Sequence, residues 1–337
     1  MNRRLQSIFV YEHVSAGGLG SEAPPSLVRE GRAMLLALLY DLGAALDDNC
    51  TTIVHDRVSI PTLPKAVRVS SQAQRDQAFD RLVSTADASV LIAPETDGVL
   101  SSLSKRVLAL GGRLLSPSPE CVAIYSDKLR TAEHLSRAGI RCVPTRLANP
   151  DETHTHAVVV KPRDGAGSEC TELAPKNAKL RCDGDAIVTT YVEGIPASVL
   201  MICGPRDFVL FPPTRQLVAA ESSFAYEGGE RILDPSLARR AHGLARDVAR
   251  MTPRLQGYVG VDIILATSPS DDVVIEVNPR LCTSYLGLRH FVPPTQLAEM
   301  WFEAVLGDEV RSPEWETSPL RFGVELEPLP PWSSAAR

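Results

Sequence analysis

Two acidic side chains and an amide stand in neighbouring apolar runs in the last quarter of the chain. Asp262 lies in "GVDIILA", and Glu276 and Asn278 alternate with apolar residues in "VVIEVNP". The polar segment "TSPSDD" between the two runs predicts a hairpin, which would put Asp262 roughly opposite Glu276 and Asn278 on one face of its strand. Two carboxylates and an amide oxygen are hard ligands, so the pattern predicts a site for Mg²⁺ or Mn²⁺.

Arg280 follows this pattern directly, and Pro279 restricts the backbone just before it. Its guanidinium is suited to meet phosphates that a metal at the hairpin would carry. The alternative is an amphipathic hairpin with solvated charges, which is the commoner case for an arbitrary hairpin. We favour the metal site because acids within strongly apolar strands need a partner.

Two lysines are candidates for binding phosphate. Lys161 ends the run "AVVVKP" and precedes the loop "RDGAGSE", whose glycines expose backbone N–H groups to phosphate oxygens. Lys128 opens a predicted helix in "SDKLRTAEHL". Each lysine alone is better explained as a solvated surface side chain, so the prediction depends on the two acting with the metal hairpin.

The order of predicted elements separates the chain into four parts. Residues 1–120 alternate strand-like and helical runs, which predicts a parallel α/β domain with ligands at the carboxyl ends of its strands. Short β runs then dominate, which indicates antiparallel α+β lobes. We expect a central lobe over 121–190, a lobe with the metal site over 191–310, and a loosely packed proline-rich tail over 311–337.

Composition argues against several functional classes. The net charge is −6 and lysines and arginines form no long block, so neither nucleic acid nor a membrane surface is an expected partner. Runs of 18 apolar residues are absent, and the apolar part of "MNRRLQSIFV" is too short for a signal peptide. The seven cysteines form no CxxC pair, so we expect free thiols and a cytoplasmic location.

Taken together, these motifs resemble the ATP-grasp superfamily over roughly residues 5–305. They occur in that family's order: D-K-x-x-T at Asp127, the strand lysine, the hinge "TTYVEG", and E-x-N-P-R. The resemblance implies that ATP lies between two α+β lobes. The roles it implies are phosphate binding by Lys128 and Lys161, adenine recognition by the backbone of Tyr191 and Val192, and metal binding by Asp262, Glu276 and Asn278.

The hinge departs from the family pattern in two places. Thr189 and Thr190 stand where many members carry an acid-containing pair, and Pro196 stands where many carry the acid that holds the ribose. Ribose recognition is therefore open, and Glu193 is the candidate substitute.

The stretch "FVYEHVSAGGLG" is not a nucleotide loop. It has neither the G-K-[ST] of a P-loop nor the G-x-G-x-x-G of a dinucleotide turn. In ATP-grasp ligases the loop after the first strand faces the reaction centre, so the resemblance implies contacts with the second substrate. The candidates are Glu12 for an ammonium group and, for a carboxylate, Ser15 with the N–H groups at Gly17 and Gly18; a simple glycine turn is the alternative.

Four further segments resemble the tyramine–glutamate ligase branch of this superfamily, which serves methanofuran-type one-carbon carriers. They are "YEHVSAGG", "APETDG", "YVEGIPASV" and "NPRLCTSYLGLR". The resemblance implies small-molecule substrates, an acidic amino acid and an aromatic amine, with tyrosine replacing tyramine in the bacterial methylofuran counterparts. Glu95, Thr283, Ser284 and Tyr285 are then expected at the substrate pocket.

The implied reaction is ATP-dependent amide formation through an acylphosphate, with Arg280 and Lys161 as catalytic residues. Residues 221–230 are a candidate lid hinged at Gly228 and Gly229, or a mobile surface turn. A homodimer is expected by analogy alone. The alternatives are another ATP-grasp amino-acid or dipeptide ligase, a nucleotide-binding sensor without catalysis, and a structural protein whose acids only cap a hairpin.

Overall fold

The chain folds into one parallel and two antiparallel sheets, with helices packed on their faces. This confirms the predicted mixed architecture of an α/β domain followed by α+β lobes. In the described parts of the chain, every helix is too short or too polar to cross a bilayer. The computed structural model describes residues 5–20, 23–60, 63, 65–165, 170–180, 184–218, 224 and 226–323.

The N-terminal domain is built on the parallel sheet. Its elements are β1 (Ile8–Glu12), α1 (Pro25–Ala45), β2 (Cys50–His55), β3 (Ala66–Val69), α2 (Gln72–Thr85), β4 (Ala88–Ile92), a 3₁₀ turn (Thr96–Gly98) and α3 (Val99–Ala109). The strands lie in the order β3, β2, β1, β4, and all five residues of β1 are buried. The segment "GRLLS", after α3, adds only an isolated parallel bridge between Ser89 and Leu114.

Two short helices and a small antiparallel sheet follow. They are α4 (Pro119–Tyr125), α5 (Lys128–Arg137), β5 (Thr145–Leu147), β6 (Val158–Pro162), β7 (Glu172–Ala174) and β8 (Ala186–Thr190). The strand order is β5, β8, β6, β7. Asp127 fixes the start of α5 because its carboxylate accepts the N–H groups of Leu129 and Arg130. Lys128 therefore stands at the first position of the helix.

The largest sheet has seven strands and carries the predicted hairpin. Its elements are β9 (Gly194–Cys203), β10 (Phe208–Leu210), β11 (Thr214–Val218), β12 (Tyr226–Arg231), α6 (Pro235–Met251), β13 (Gly257–Ala266), β14 (Val273–Asn278), α7 (Tyr285–Leu288), α8 (Pro294–Leu306) and β15 (Arg321–Gly323). The order is β14, β13, β9, β11, β12, β15, with β10 paired to β9. β13 and β14 are antiparallel neighbours.

The glycine pair of the candidate lid does not form a hinge. Gly228 and Gly229 lie inside β12, which is hydrogen-bonded to β11 on one side and β15 on the other. Glycine is needed there because a Cβ on Gly228 would approach the carbonyl oxygen of Phe322 to 2.1 Å. Residues 221–223 and 225 of that candidate lid lie outside the described residues.

Part of the tail is packed, contrary to expectation. Residues 321–323 form β15, and the ring of Trp315 lies 4.8 Å from that of Phe211, centroid to centroid. The proline content of the tail therefore does not prevent it from covering the edge of the large sheet.

A shared hydrophobic core holds the N-terminal domain against the large sheet. Buried residues of α1 and β1 pack with those of β9, α7 and α8. Trp301 lies fully buried in this core, and its indole N–H donates to the carbonyl of Leu115 at 3.2 Å. The packing sets the carboxyl end of β4 close to the β13–β14 hairpin, where Arg280 donates to Glu95.

Candidate active site

The register of the hairpin brings the two predicted carboxylates together. Asp262 pairs directly with Glu276 across β13 and β14, as the sequence pattern predicted. The amide nitrogen of Asn278 donates to Oδ2 of Asp262 at 2.9 Å, and that of Gln216 donates to Oδ1 at 3.0 Å. Gln216 lies on β11, which β9 separates from β13 in the sheet. The sequence carries no signal for this contact, because the two residues are neither on adjacent strands nor close together in the chain.

The pKa values of Asp262 and Glu276 are shifted in opposite directions. Burial, followed by the charge of Glu276, raises the pKa of Asp262 to about 6. Burial alone would also raise the pKa of Glu276, but Lys128, Lys161 and Arg280 outweigh it and lower that pKa. Glu276 is thus ionised among cations, while Asp262 carries repulsion that another cation would relieve.

A divalent cation fits this donor set. Two carboxylates on neighbouring strands and an adjacent amide supply hard oxygen ligands, and Mg²⁺ commonly takes one or two carboxylates and completes its shell with water and phosphate. Among the described residues, no group of three or more His, Cys, Asp or Glu is placed to hold a metal. The predicted ligands are instead two carboxylates and one amide, those of Asp262, Glu276 and Asn278.

The two predicted lysines both reach this hairpin. Nζ of Lys128 lies 3.5 Å from Oε1 of Glu276 and donates to the carbonyl of Gly165 at 2.8 Å. Lys161 is 7% exposed. Burial lowers the pKa of its ammonium group, and the negative charge of Glu276 offsets part of this shift. Phosphate oxygens would compensate both ammonium groups; residues 166–169 of the glycine loop lie outside the described residues.

In the hinge between β8 and β9, one of the two residues predicted to recognise adenine already uses its backbone N–H within the protein. The N–H of Tyr191 donates to the carbonyl of Ala157 at 3.1 Å, so it extends the small sheet instead of facing a base. Val192 makes no backbone–backbone hydrogen bond within the described residues and stays the better candidate. Glu193 is exposed beside it.

Arg280 is held by the N-terminal domain. Its Nε donates to Oε1 of Glu95 at 2.8 Å, and both side chains are largely buried. Oε2 of Glu95 is buried without a hydrogen-bond partner in the described structure. Glu95 precedes the 3₁₀ turn at the carboxyl end of β4, where sequence reasoning expected a substrate contact.

Glu12 lies inside the protein, at 1% exposure. Its carboxylate accepts the N–H groups of Val14 at 2.9 Å and Ser15 at 2.6 Å, and burial raises its pKa. A Cβ on Gly31 of α1 would approach that carboxylate to 2.7 Å. The placement favours a role in shaping the loop over direct contact with a substrate ammonium group.

The glycines of the same loop are also engaged internally. Gly17 donates its N–H to the carbonyl of Val14 at 2.9 Å, and Gly18 donates to that of His13 at 2.8 Å. These two amides are therefore not available to a substrate carboxylate, which corrects the expectation. Ser15 is likewise buried within the loop, beside the Glu12 carboxylate.

The segment after Arg280 lies only partly at the site. Thr283 donates from Oγ1 to Oε2 of Glu30 at 3.4 Å, next to Arg280. Tyr285, expected in the substrate pocket, is fully buried and donates its hydroxyl to Asp41 of α1 at 2.5 Å. It anchors α7 to α1, and the neighbouring Ser284 is buried as well.

Two family models match the chain. The pre ATP-grasp 3 domain matches residues 49–122, and the ATP-grasp domain matches residues 125–284. The second segment contains both lysines, the hinge and the metal hairpin. Together the two segments cover most of the described chain.

Similar proteins agree with the family models. Tyramine–L-glutamate ligases are 24% identical over 84% of this chain and 89% of the relative (Methanocaldococcus fervens), and 23% identical over 91% and 92% (Methanocaldococcus jannaschii). An Archaeoglobus fulgidus structure assigned to the ATP-grasp superfamily has a TM-score of 0.70 at 23% identity, covering 91% of this chain and 89% of its own. The ADP complex of N5-carboxyaminoimidazole synthetase from Staphylococcus aureus has a TM-score of 0.68 at 13% identity, covering 93% and 80%.

Proposed function

This chain belongs to the ATP-grasp superfamily of ATP-dependent carboxylate–amine ligases, and we propose that it joins glutamate to tyramine or tyrosine. The observation that carries the proposal is the convergence of Asp262 and Glu276 with Lys128, Lys161 and Arg280 at one end of the large sheet. The names of the two curated relatives support the substrate pair, and the product would serve a methanofuran- or methylofuran-type carrier. We place the reaction in the cytoplasm, where ATP is supplied.

The proposed reaction has two steps. A carboxylate oxygen of the amino acid attacks the γ-phosphorus of ATP, the bond to the β,γ-bridging oxygen breaks, and ADP leaves. The amine nitrogen then attacks the acyl carbon of the acylphosphate, the C–O bond to phosphate breaks, and the nitrogen loses a proton. An amide, ADP and inorganic phosphate result.

The side chains of the site act by neutralising and positioning charge. Lys161 and Lys128 would bind the phosphates of ATP, and Arg280 would stabilise the negative charge on the transferred phosphoryl group and on the acylphosphate. Asp262, Glu276 and Asn278 would hold a divalent cation, whose charge would offset that of the phosphates and lower the repulsion met by the attacking carboxylate. None of these steps needs a side-chain nucleophile.

The apolar surface for the base would lie on the face of the small sheet that carries Lys161. Val159, Leu173 and Thr189 occupy one row of that face by register. Leu173 is 43% exposed, which suits a residue that a bound base would cover. The backbone of Val192 would then contact the edge of the base.

The test is a substrate panel followed by ADP release. Purified protein receives Mg-ATP and L-glutamate with tyramine, L-tyrosine or D-alanine, and mass spectrometry identifies the amide. Hydroxylamine in place of the amine should trap the acylphosphate as a hydroxamate. We expect sustained ADP release to require glutamate together with either an aromatic amine or hydroxylamine. Amide formation with another amino-acid pair would reassign the substrates, whereas ATP binding without turnover on any pair would favour a nucleotide sensor.

A further inference from the structure

An acid on the second turn of α1 lies beside the reaction centre, and it stands outside the family motifs. We propose that Glu30 binds the α-ammonium group of the amino-acid substrate. The inference rests on the proposed function, since it assigns a specificity-determining residue to that reaction. It replaces Glu12, which the sequence pattern had favoured for the same contact.

Contacts place Glu30 at the substrate side of the metal hairpin. Oε2 accepts the hydroxyl of Thr283 at 3.4 Å, and Thr283 stands three residues after Arg280. The phenol of Tyr226, on β12, lies close enough to Asp262 and Glu30 for both charges to raise its pKa further, after the larger effect of burial. Glu30 therefore faces the space between the N-terminal domain and the carboxylates of Asp262 and Glu276.

An unpaired acceptor at this point favours a hydrogen-bond donor. Glu30 and Glu95 share the guanidinium of Arg280, whose Nε is already given to Oε1 of Glu95, and Arg29 adds a weaker opposing charge beside Glu30. The second oxygen of Glu95 is buried and lacks a hydrogen-bond partner among the described residues. An unpaired buried acceptor is costly, so a donor that reaches this partly dehydrated place would be stabilising.

An ammonium group would supply such a donor. It carries one positive charge and three N–H groups, so it could donate to Glu30 and keep donors for a further acceptor of the site. Burial raises the pKa of Glu30 and Arg280 opposes that effect, which leaves a carboxylate whose charge a bound cation would stabilise. Glu12 offers no such opening, because the loop amides occupy its oxygens.

The experiment compares an amino acid with the same acid lacking its amino group. With Mg-ATP and saturating amine, kcat/KM is measured for L-glutamate and for glutarate, or for the corresponding pair if the panel identifies another amino acid. The wild type should prefer the amino acid by about 30-fold or more, because its buried acceptors stay unpaired with the analogue. In Glu30→Gln this ratio of kcat/KM values should fall toward one, because KM for glutamate rises. KM for ATP should stay unchanged, and Glu30→Asp should recover part of the preference.

A matched surface change separates this effect from general damage. Glu133→Gln makes the same chemical change in an exposed ion pair with Arg137 and should keep the wild-type ratio. If Glu30→Gln is active and keeps the ratio, the assignment is overturned while the ligase proposal stands. If the wild type releases no ADP with any amino acid, the ligase proposal itself is rejected, and this inference with it.

A second variant covers the case in which Glu30→Gln does not fold. Thr283→Val removes the hydroxyl that orients Glu30 and keeps the side-chain shape. We expect the glutamate-to-glutarate ratio to fall severalfold in Thr283→Val, and an unchanged ratio would count against Glu30.

Discussion

Arg280 and Glu95 form an ion pair of 2.8 Å between residues 185 positions apart in the chain. Arg280 follows β14, which carries two of the proposed metal ligands, whereas Glu95 follows the last strand of the parallel sheet. The contact therefore ties the N-terminal domain to the β13–β14 hairpin at the proposed active site. It also orients the guanidinium, because Nε donates to Glu95 while Nη1 donates to the carbonyl of Leu281 at 3.3 Å.

Glu95→Gln should lower kcat while leaving ATP binding nearly unchanged. The amide keeps the shape of the side chain but loses the charge that holds Arg280, so the guanidinium would be less well placed for the transferred phosphoryl group. We expect a loss of about 10- to 100-fold in kcat, on the scale typical for residues that orient a ligand-binding group. Steady-state ADP release at varied ATP measures both constants.

The neighbouring Asp97→Asn is a suitable control for this change. Asp97 is exposed, and its described contact is made by its backbone N–H to Asp164. The kcat of the Asp97→Asn variant should stay at the wild-type value. Equal losses in both variants would mean that the turn is merely sensitive to substitution and that the ion pair has no specific role.

Glu276→Ala should abolish ADP release and leave the fold intact. The change removes one proposed metal ligand and the charge that pairs with Lys128 and Lys161, so we expect kcat to fall by at least about 100-fold. It also removes the repulsion that raises the pKa of Asp262, which limits the loss of stability. Circular dichroism checks the fold, and the Mg²⁺-dependent shift in Tm checks the metal.

An exposed glutamate on α5 provides the comparison for the metal ligand. Glu133→Ala should retain activity and the full Mg²⁺-induced rise in Tm, since its partner is a surface arginine. Turnover in Glu276→Ala comparable to that of Glu133→Ala would refute the metal assignment.

The hairpin was predictable because its information is local. Period-two alternation in "VVIEVN" and a polar turn of a few residues determine that Asp262 faces Glu276, and the register agrees. The same holds for the start of α5 at Lys128, where Asp127 is a strong cap. Each of these depends on residues close together in the chain.

The misplaced residues depend on partners far away in sequence. Tyr285 is buried because Asp41, 244 positions earlier, accepts its hydroxyl. Glu12 is enclosed by its own loop amides and by Gly31 of the next helix. No periodicity reports such contacts, so an acid at a strand end cannot be assigned to substrate or to loop from its position alone.

Stability should fall in mild acid through the histidine of the first loop. Burial, and then the charge of Arg75, lowers the pKa of His13 to about 4 from an unfolded value of 6.5. The unfolded chain therefore binds more protons between these values, and the free energy of unfolding decreases as the pH falls from 6.5 toward 4, by at most about 3 kcal/mol. His13→Gln cannot take up this proton, so its stability should change less between pH 7.5 and 5.

Urea unfolding at the two pH values measures the effect. The exposed His156 supplies the matched variant, His156→Gln, which should keep the wild-type loss of stability on acidification. Because only differences between variants are compared, other groups that titrate in this range cancel. An identical pH dependence in His13→Gln and wild type would contradict the burial of His13 in the folded loop.

Two helical glycines should respond oppositely to alanine. A Cβ on Gly31 would press on the Glu12 carboxylate at 2.7 Å, whereas one on Gly243 of α6 meets no atom within 4 Å. Alanine is the better helix former, so Gly243→Ala should stabilise the protein by about 0.5–1 kcal/mol. Gly31→Ala should destabilise it by about 1–3 kcal/mol, because the carboxylate must leave the amides of Val14 and Ser15 or α1 must shift. Urea unfolding at pH 7.5 gives both values. A stabilising Gly31→Ala would mean that Glu12 is free to move away, which would return it to consideration as a substrate contact and weaken the case for Glu30.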